Sequence, residues 1–300
     1  MTAHSAARPG LRATRWLLSA CACAVVAALP VSAHAYCRLS TEAPMALEVC
    51  AGSGTALHWQ RSCISYSLVE RRRARPDFED VRDAVDRAFQ TWSAVQCDGA
   101  PVDLSLGQTE ALSRCETPQH ASRGGNTNSI IFVEDWAERG LPSDAFGLTL
   151  IWHSPESGEI FDADMQVNET MGELTICDGR CAAGQVDLEN VVTHEAGHFL
   201  GLGHTPIPTA AMYGESRAGE IRKRYLNDDD RAGICAIFGG NAGHTCSDTE
   251  FQPIGGLDPE CYVPEDGGCS ASAGGTSGLA PGLVLIALLT LRARRRLSRP

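Results

Sequence analysis

Basic residues are scarce in the body of this chain. The 300 residues hold 25 Lys and Arg against 37 Asp and Glu, and eight arginines lie in the two ends, which carry no acid. The stretch between them keeps 17 basic and 37 acidic residues, a net charge of −20. That balance argues against nucleic acid or an anionic membrane as a partner of the folded part, since phosphate contacts are made by clustered Lys and Arg. Long apolar runs are also missing: 278–291 has fourteen apolar or small residues, including Pro281 and Gly282, short of the about 20 that span a hydrocarbon core. No internal repeat is present, which sets repeat architectures aside.

Both ends read as addressing signals. Arg8, Arg12 and Arg15 precede an apolar run from Trp16 to Leu29, and Ala33-His34-Ala35 has the small-x-small pattern of a signal-peptidase site. Residues 1–35 are therefore expected to be a signal peptide, with Tyr36 as the mature N-terminus. A lipid-attachment reading of Leu18-Ser19-Ala20-Cys21 is weaker, because only three apolar residues separate Arg15 from Ser19. At the other end, Gly267-Gly268-Cys269, a short apolar stretch and Arg294-Arg295-Arg296 follow one another. This order resembles the MYXO-CTERM type of bacterial sorting tail, which implies cleavage near Cys269 and retention at the cell surface. A weak single-pass anchor with its positive charge inside is the plainer alternative. On either reading the body is exported, and attachment to a membrane or cell surface would run through 278–300.

Setting aside Cys21, Cys23 and Cys269 leaves ten cysteines, at 37, 50, 63, 97, 115, 177, 181, 235, 246 and 261. An even set in an exported chain suggests five disulfides. The pairing is not legible, though Cys177–Cys181 and Cys246–Cys261 are plausible local pairs.

Sustained periodicity runs over 57–238, one domain's worth of core. Residues 36–56 read as a stapled N-terminal extension, and 239–277, rich in Gly, Asp, Ser and Thr, as a linker. Alternation at 63–70 predicts a strand. Asp77 can cap a following helix whose Phe78, Val81, Val85, Ala88, Trp92 and Val95 share one face. Strands are predicted at 102–106 and 129–133, and 147–153 with 160–167 should form a hairpin. In its second strand Phe161, Ala163, Met165 and Val167 face one way, and Asp162, Asp164 and Gln166 the other. The two aspartates offer carboxylates to Ca2+. No further oxygen-ligand pattern accompanies them, and solvent-facing positions explain them more simply.

The chemistry concentrates in "THEAGHFLGLGH", 193–204. Asp187 is a suitable N-cap, and Leu188, Val191, Val192 and Phe199 give the helix a buried side. His194 and His198 are four apart, so their rings project from one face and can share a zinc at Zn–N distances of about 2.0–2.1 Å. Glu195 is not placed to ligate; it can reach a water in an open coordination position, as a general base does. His204 would be rotated away on a continuing helix. Gly201 can take the left-handed conformation that ends a helix, Gly203 loosens the next step, and the chain can turn back to deliver His204. Three neutral donors leave one position open, which marks a catalytic zinc. His58, His120, His153 and His244 lack ligand spacing.

The run His194 to His204 reads H-E-x-x-H-x-x-G-x-x-H, and it resembles the metzincin signature. Within the metzincins the chain is similar to the matrixins. Met212 in "TAAMYG" stands where matrixins have the Met-turn methionine, and "LNDDDRAGIC" (226–235) looks like their C-terminal helix, with Asp229 and Asp230 as the paired acids. The resemblance implies an α+β fold: a twisted, mixed and mostly parallel five-stranded sheet over two helices, then a smaller part with the Met-turn and a third helix. It also implies that an edge strand, here Gly147, Leu148, Thr149, Leu150 and Ile151 onward to His153, pairs with an extended peptide substrate.

Some family features are missing. Thr205 stands where matrixins usually have Ser, and Gly214 where they usually have Pro, so the pocket wall is expected to differ. No PRCGxPD-like cysteine switch precedes the domain, so latency by that device is not expected. The structural-zinc loop is not recognisable either. The reading that follows is an exported zinc-dependent endopeptidase acting on proteins or peptides, with Glu195 as base. Two other classes remain open: a binding or adhesion module on an inactive scaffold, and a disulfide-stapled structural protein. An intact Glu195 weighs against the first, and the open fourth position against the second.

Overall fold

A computed structural model describes residues 1–2, 36–42, 50, 53–73, 76–122, 124–240, 245–261 and the backbone of 289–293. The signal and linker-to-tail readings at 3–35, 262–288 and 294–300 lie outside these residues.

Five strands and three helices carry the architecture: β1 (Cys63–Leu68), α1 (Phe78–Ser93), β2 (Ser105–Gln108), β3 (Ser129–Val133), β4 (Ala145–His153), β5 (Ile160–Asn168), α2 (Leu188–Phe199) and α3 (Asp228–Phe238). The strands lie in the order β4-β5-β3-β1-β2. β2, β1, β3 and β5 run parallel to one another, and β4 alone of the five is antiparallel, paired with β5 through a hairpin. The fold is the α+β arrangement expected, with a mixed five-stranded sheet and three helices.

α1 starts at Asp77, whose carboxylate accepts the Glu79 N–H. Its apolar stripe of Val81, Ala84, Val85, Ala88, Phe89 and Trp92 is fully buried and packs on both the sheet and α2. Tyr66 of β1 stacks on Phe89 at 3.9 Å, and Phe89 meets Phe199 edge-on at 5.3 Å. Two indoles fix the backbone of α2: Trp92 Nε1 donates to Thr193 O at 2.9 Å and Trp59 Nε1 to Phe199 O at 2.8 Å.

Three expectations are corrected. The strand predicted at 102–106 begins at Ser105, because Val102 is diverted to bridge Gly240 and Cys97 is bonded to Cys235 of α3. The side of β5 bearing Asp162, Asp164 and Gln166 does not face solvent. All three are buried, since the segment after β2 folds over that face. Asp164 accepts the Gln119 and Ser129 N–H groups at 2.8 and 2.6 Å, and Asp162 Oδ2 lies 3.2 Å from His120 Nδ1. Burial pushes both carboxyls well up from their ordinary value. Finally, Cys246 bonds Cys63 and not Cys261, a pairing across 183 residues that no local spacing reveals.

The Cys177–Cys181 bond is present as expected, and Cys37–Cys50 staples the N-terminal extension. Cys115 and Cys261 are unbonded neighbours; burial, with the Cys261 thiol beside it, pushes the Cys115 thiol up to about 12. Residues 245–261, which composition reads as linker, are tied to the domain by Cys63–Cys246, an Asn126–Leu257 bridge and the Arg114 N–H to Pro259 O bond. Among the described residues no helix is long and apolar enough to cross a membrane.

Candidate metal centre

α2 is buried along its whole length, and its start is held by charge. Asp187 caps it by accepting the Asn190 N–H at 2.8 Å, takes the Cys177 N–H at 2.9 Å, and is ion-paired with Arg224. The helix stops at Leu200, and Gly201 follows with φ +100°. A Cβ at that position would stand 3.0 Å from Leu57 O, so both conformation and space require glycine. Leu202–Gly203 then pair antiparallel with Cys37–Arg38, which carries His204 back under the helix.

The three imidazoles meet. The Nε2 atoms of His194, His198 and His204 are separated by 3.2, 3.2 and 3.1 Å. His194 Nδ1 lies 2.6 Å from Ala211 O and His198 Nδ1 2.8 Å from Leu202 O. Those carbonyls can only accept, so each Nδ1 carries the proton and the Nε2 lone pairs converge. Three converging lone pairs repel unless a cation sits among them, and an ion about 2.0–2.1 Å from each nitrogen requires separations of about 3.3 Å at tetrahedral angles. The donor set therefore fits zinc. Burial lowers the pKa of His194 well below its ordinary value and that of His198 to about 4, keeping both rings neutral and ready to ligate at neutral pH. Cys177, Cys181 and Asp187 also cluster, but the two sulfurs are bonded to each other and unavailable to a metal.

Met212 packs against Gly197 of α2, in a turn clamped from both sides. Asp230 accepts the N–H groups of Ala211 and Met212 at 2.8 and 3.0 Å. On the carbonyl side, Lys223 Nζ donates to Ala211 O at 3.0 Å and to Tyr213 O. Ala211 O thus serves both Lys223 and His194. Packing is close enough that a Cβ on Gly197 would stand 2.2 Å from Met212 Sδ. Lys223 is the single lysine of the chain and is fully buried. Burial pulls its ammonium down to about 7, against the opposing charges of Glu220, Asp230 and Glu195. Its solitary presence in an Arg-rich sequence was the one available signal, and motif spacing missed it. Lys223→Met should lower the unfolding free energy by about 1–3 kcal/mol, since it removes the Lys223 ammonium that donates to the Tyr213 carbonyl; denaturant unfolding of the zinc-loaded protein measures this.

Glu195 is fully buried between α2 and β4. Its Oε2 accepts from Thr149 Oγ1 at 2.8 Å, so a residue predicted only as part of the substrate strand also orients the Glu195 carboxylate. Gly147 permits this contact, because a Cβ there would lie 2.8 Å from Glu195 Oε1. The remaining predicted strand residues, Leu148, Leu150 and Ile151, run along β4 beside it. Of the departures, Thr205 donates to Asp229 at 2.8 Å. Past Met212 a cavity of about 410 Å³ is lined by Tyr213, Glu215, Arg217, Glu220 and Arg222 among others, a markedly charged set.

Strand β4 beside a carboxylate, two histidines of a buried helix converging with a third just beyond it, and an adjoining methionine turn make a candidate metal site of the metzincin kind; β4 is not the sheet edge expected, because Leu289–Ala293 pair along it. The chain belongs to the matrixin family, whose pattern matches residues 58–239. It is 30% identical over 191 residues to Metalloendoproteinase 1-MMP of Arabidopsis thaliana, covering 61% of this chain and 45% of that protein. It is 43% identical over 186 residues to Metalloendoproteinase 5-MMP of the same plant, covering 59% and 46%. With the Hatching enzyme of Paracentrotus lividus it shares 30% over 174 residues, 58% and 25% of the two chains. The chain spans less than half the length of these relatives.

Proposed function

We propose that this chain is an exported zinc-dependent endopeptidase that hydrolyses protein or peptide substrates laid along β4. The observation that carries the reading is the convergence of three Nε2 atoms, 3.1–3.2 Å apart, one residue from a buried glutamate. His194, His198 and His204 would hold the ion. Zinc, when bound, supplies a Lewis acid that acidifies a water and polarises a carbonyl oxygen. Glu195 takes the proton from the attacking water as its oxygen bonds to the scissile carbon, and returns it to the departing nitrogen as the C–N bond breaks. Thr149 holds the carboxylate at the rotation this transfer needs. Four disulfides among the described residues support an oxidising destination, as does the signal-like 1–35, and 278–300 would attach the protein to the cell surface.

The reading is tested by producing the protein in an oxidising compartment, cutting away the chain beyond Cys269 at an inserted protease site, measuring zinc per chain and following hydrolysis of a mixed peptide library with and without a chelator. One zinc per chain and chelator-abolished cleavage, restored by added zinc, are expected. Folded, zinc-loaded protein that cleaves nothing would instead favour a binding module on this scaffold.

A further inference from the structure

The edge of β4 is not bare. Residues Leu289–Ala293, from the C-terminal tail, form a strand antiparallel to it, with Leu289 opposite Thr149, Thr290 opposite Leu148 and Arg292 opposite Ala145. On its other side the same strand runs parallel to Glu215–Ser216, just beyond the Met-turn, with Arg292 opposite Glu215 and Ala293 opposite Ser216. The tail is thus an inner strand of a seven-stranded sheet, inserted between the two walls of the cleft.

We propose that this segment is the cleft's own occupant, so that the intact chain is latent. The inference rests on the peptidase reading above for the meaning of latency, but the docking itself does not. Three observations carry it. An exposed edge strand presents unpaired N–H and C=O groups that an extended chain can satisfy by strand addition, and here the chain's own backbone does so. The regular register breaks between Thr290 and Arg292, which places Leu291 opposite Phe146 and Gly147. Gly147 is the residue that packs on Glu195, so the tail backbone passes at the level of the base. Charge agrees as well: 278–300 carries five arginines and no acid, against a body at −20. Because the segment is covalently attached, its binding is intramolecular and needs no second molecule. A peptide substrate must displace it, and any processing that removes the tail opens the cleft.

The test uses the full chain with a recognition sequence for a specific protease inserted between Ser270 and Thr276. The protein is purified intact, then cut and freed of the tail. Arg292→Pro in the intact chain gives a second route, because Arg292 is paired with Ala145 on one side and Glu215 on the other, and proline within an inner strand removes a ladder donor. Two readouts are taken: hydrolysis of the peptide library, and amide hydrogen exchange over 145–149. The intact chain should hydrolyse at least tenfold more slowly than the cut one and protect those amides, and Arg292→Pro should behave as the cut form. Unchanged exchange on cutting overturns the docking, whatever the activity. A change in exchange with equal hydrolysis overturns latency. A change in exchange with no hydrolysis by any form, zinc present, supports the docking and removes the peptidase reading instead.

Discussion

Glu195→Ala is expected to leave one zinc per chain and to lower kcat/KM for peptide hydrolysis by about 10²–10⁴-fold, the range of a lost general base. The three imidazoles are oriented by other groups: Ala211 O and Leu202 O hold His194 and His198, and the Gly201 turn delivers His204. None of these contacts involves the Glu195 carboxylate. Thr149 loses its acceptor at Oε2 but keeps the Glu195 backbone oxygen at 3.3 Å, so its hydroxyl is not stranded. Zinc content with steady-state kinetics, measured on tail-free protein, separates the outcomes. Loss of zinc together with activity would show Glu195 to be structural, and retained hydrolysis would remove it from the mechanism.

Asp230→Ala should be the most damaging single change outside the ligands, lowering stability by about 3–5 kcal/mol. Its carboxylate accepts three backbone N–H groups: Ala211 at 2.8 Å, Met212 at 3.0 Å and Asn227 at 2.9 Å. The last completes the capping box of α3, in which Asn227 accepts the Asp230 N–H in return. Removing the side chain strands buried donors, breaks the reciprocal half of the capping box and leaves the buried Lys223 ammonium without one of the nearby negative charges that favour it. Because the freed groups are those of the Met-turn, zinc should also dissociate faster. Denaturant unfolding of the apo and zinc-loaded proteins measures both effects; a change below about 1 kcal/mol would mean that water replaces the carboxylate there. Asp230→Asn is a control, since it keeps one acceptor oxygen at this site.

The convergence of the three histidines was legible because it is a local device. Two histidines one helical turn apart, a glycine to reverse the chain and a third histidine six residues on need only backbone geometry to converge, and Gly201 adopts the positive φ that the reading required. The helix caps at Asp77, Asp187 and Asn227 lie within three residues of the N–H groups they hold; the first two were read from the sequence. The hairpin of β4 and β5 was legible for the same reason, since its alternation and turn are contiguous.

Side-chain alternation in β5 was read correctly, but which layer covered each side was not. Periodicity of two separates Asp162 and Asp164 from Met165 and says nothing of a segment some forty residues earlier in sequence closing over them. Nor does spacing pair Cys63 with Cys246, choose Thr149 to hold the Glu195 carboxylate, or set Lys223 and Asp230 on either side of the Met-turn. Each of these joins residues remote in the chain, and the partner is selected by which elements pack together. The tail strand against β4 is the extreme case, an apolar segment after Thr276 meeting an edge that begins at Ala145. The sequence by itself determined the three histidines, the glutamate beside them and the helix that presents them, because local backbone geometry suffices. Only the tertiary structure decided what holds the Glu195 carboxylate, what clamps the turn and which segment pairs with β4, because those contacts exist only once distant segments share a core.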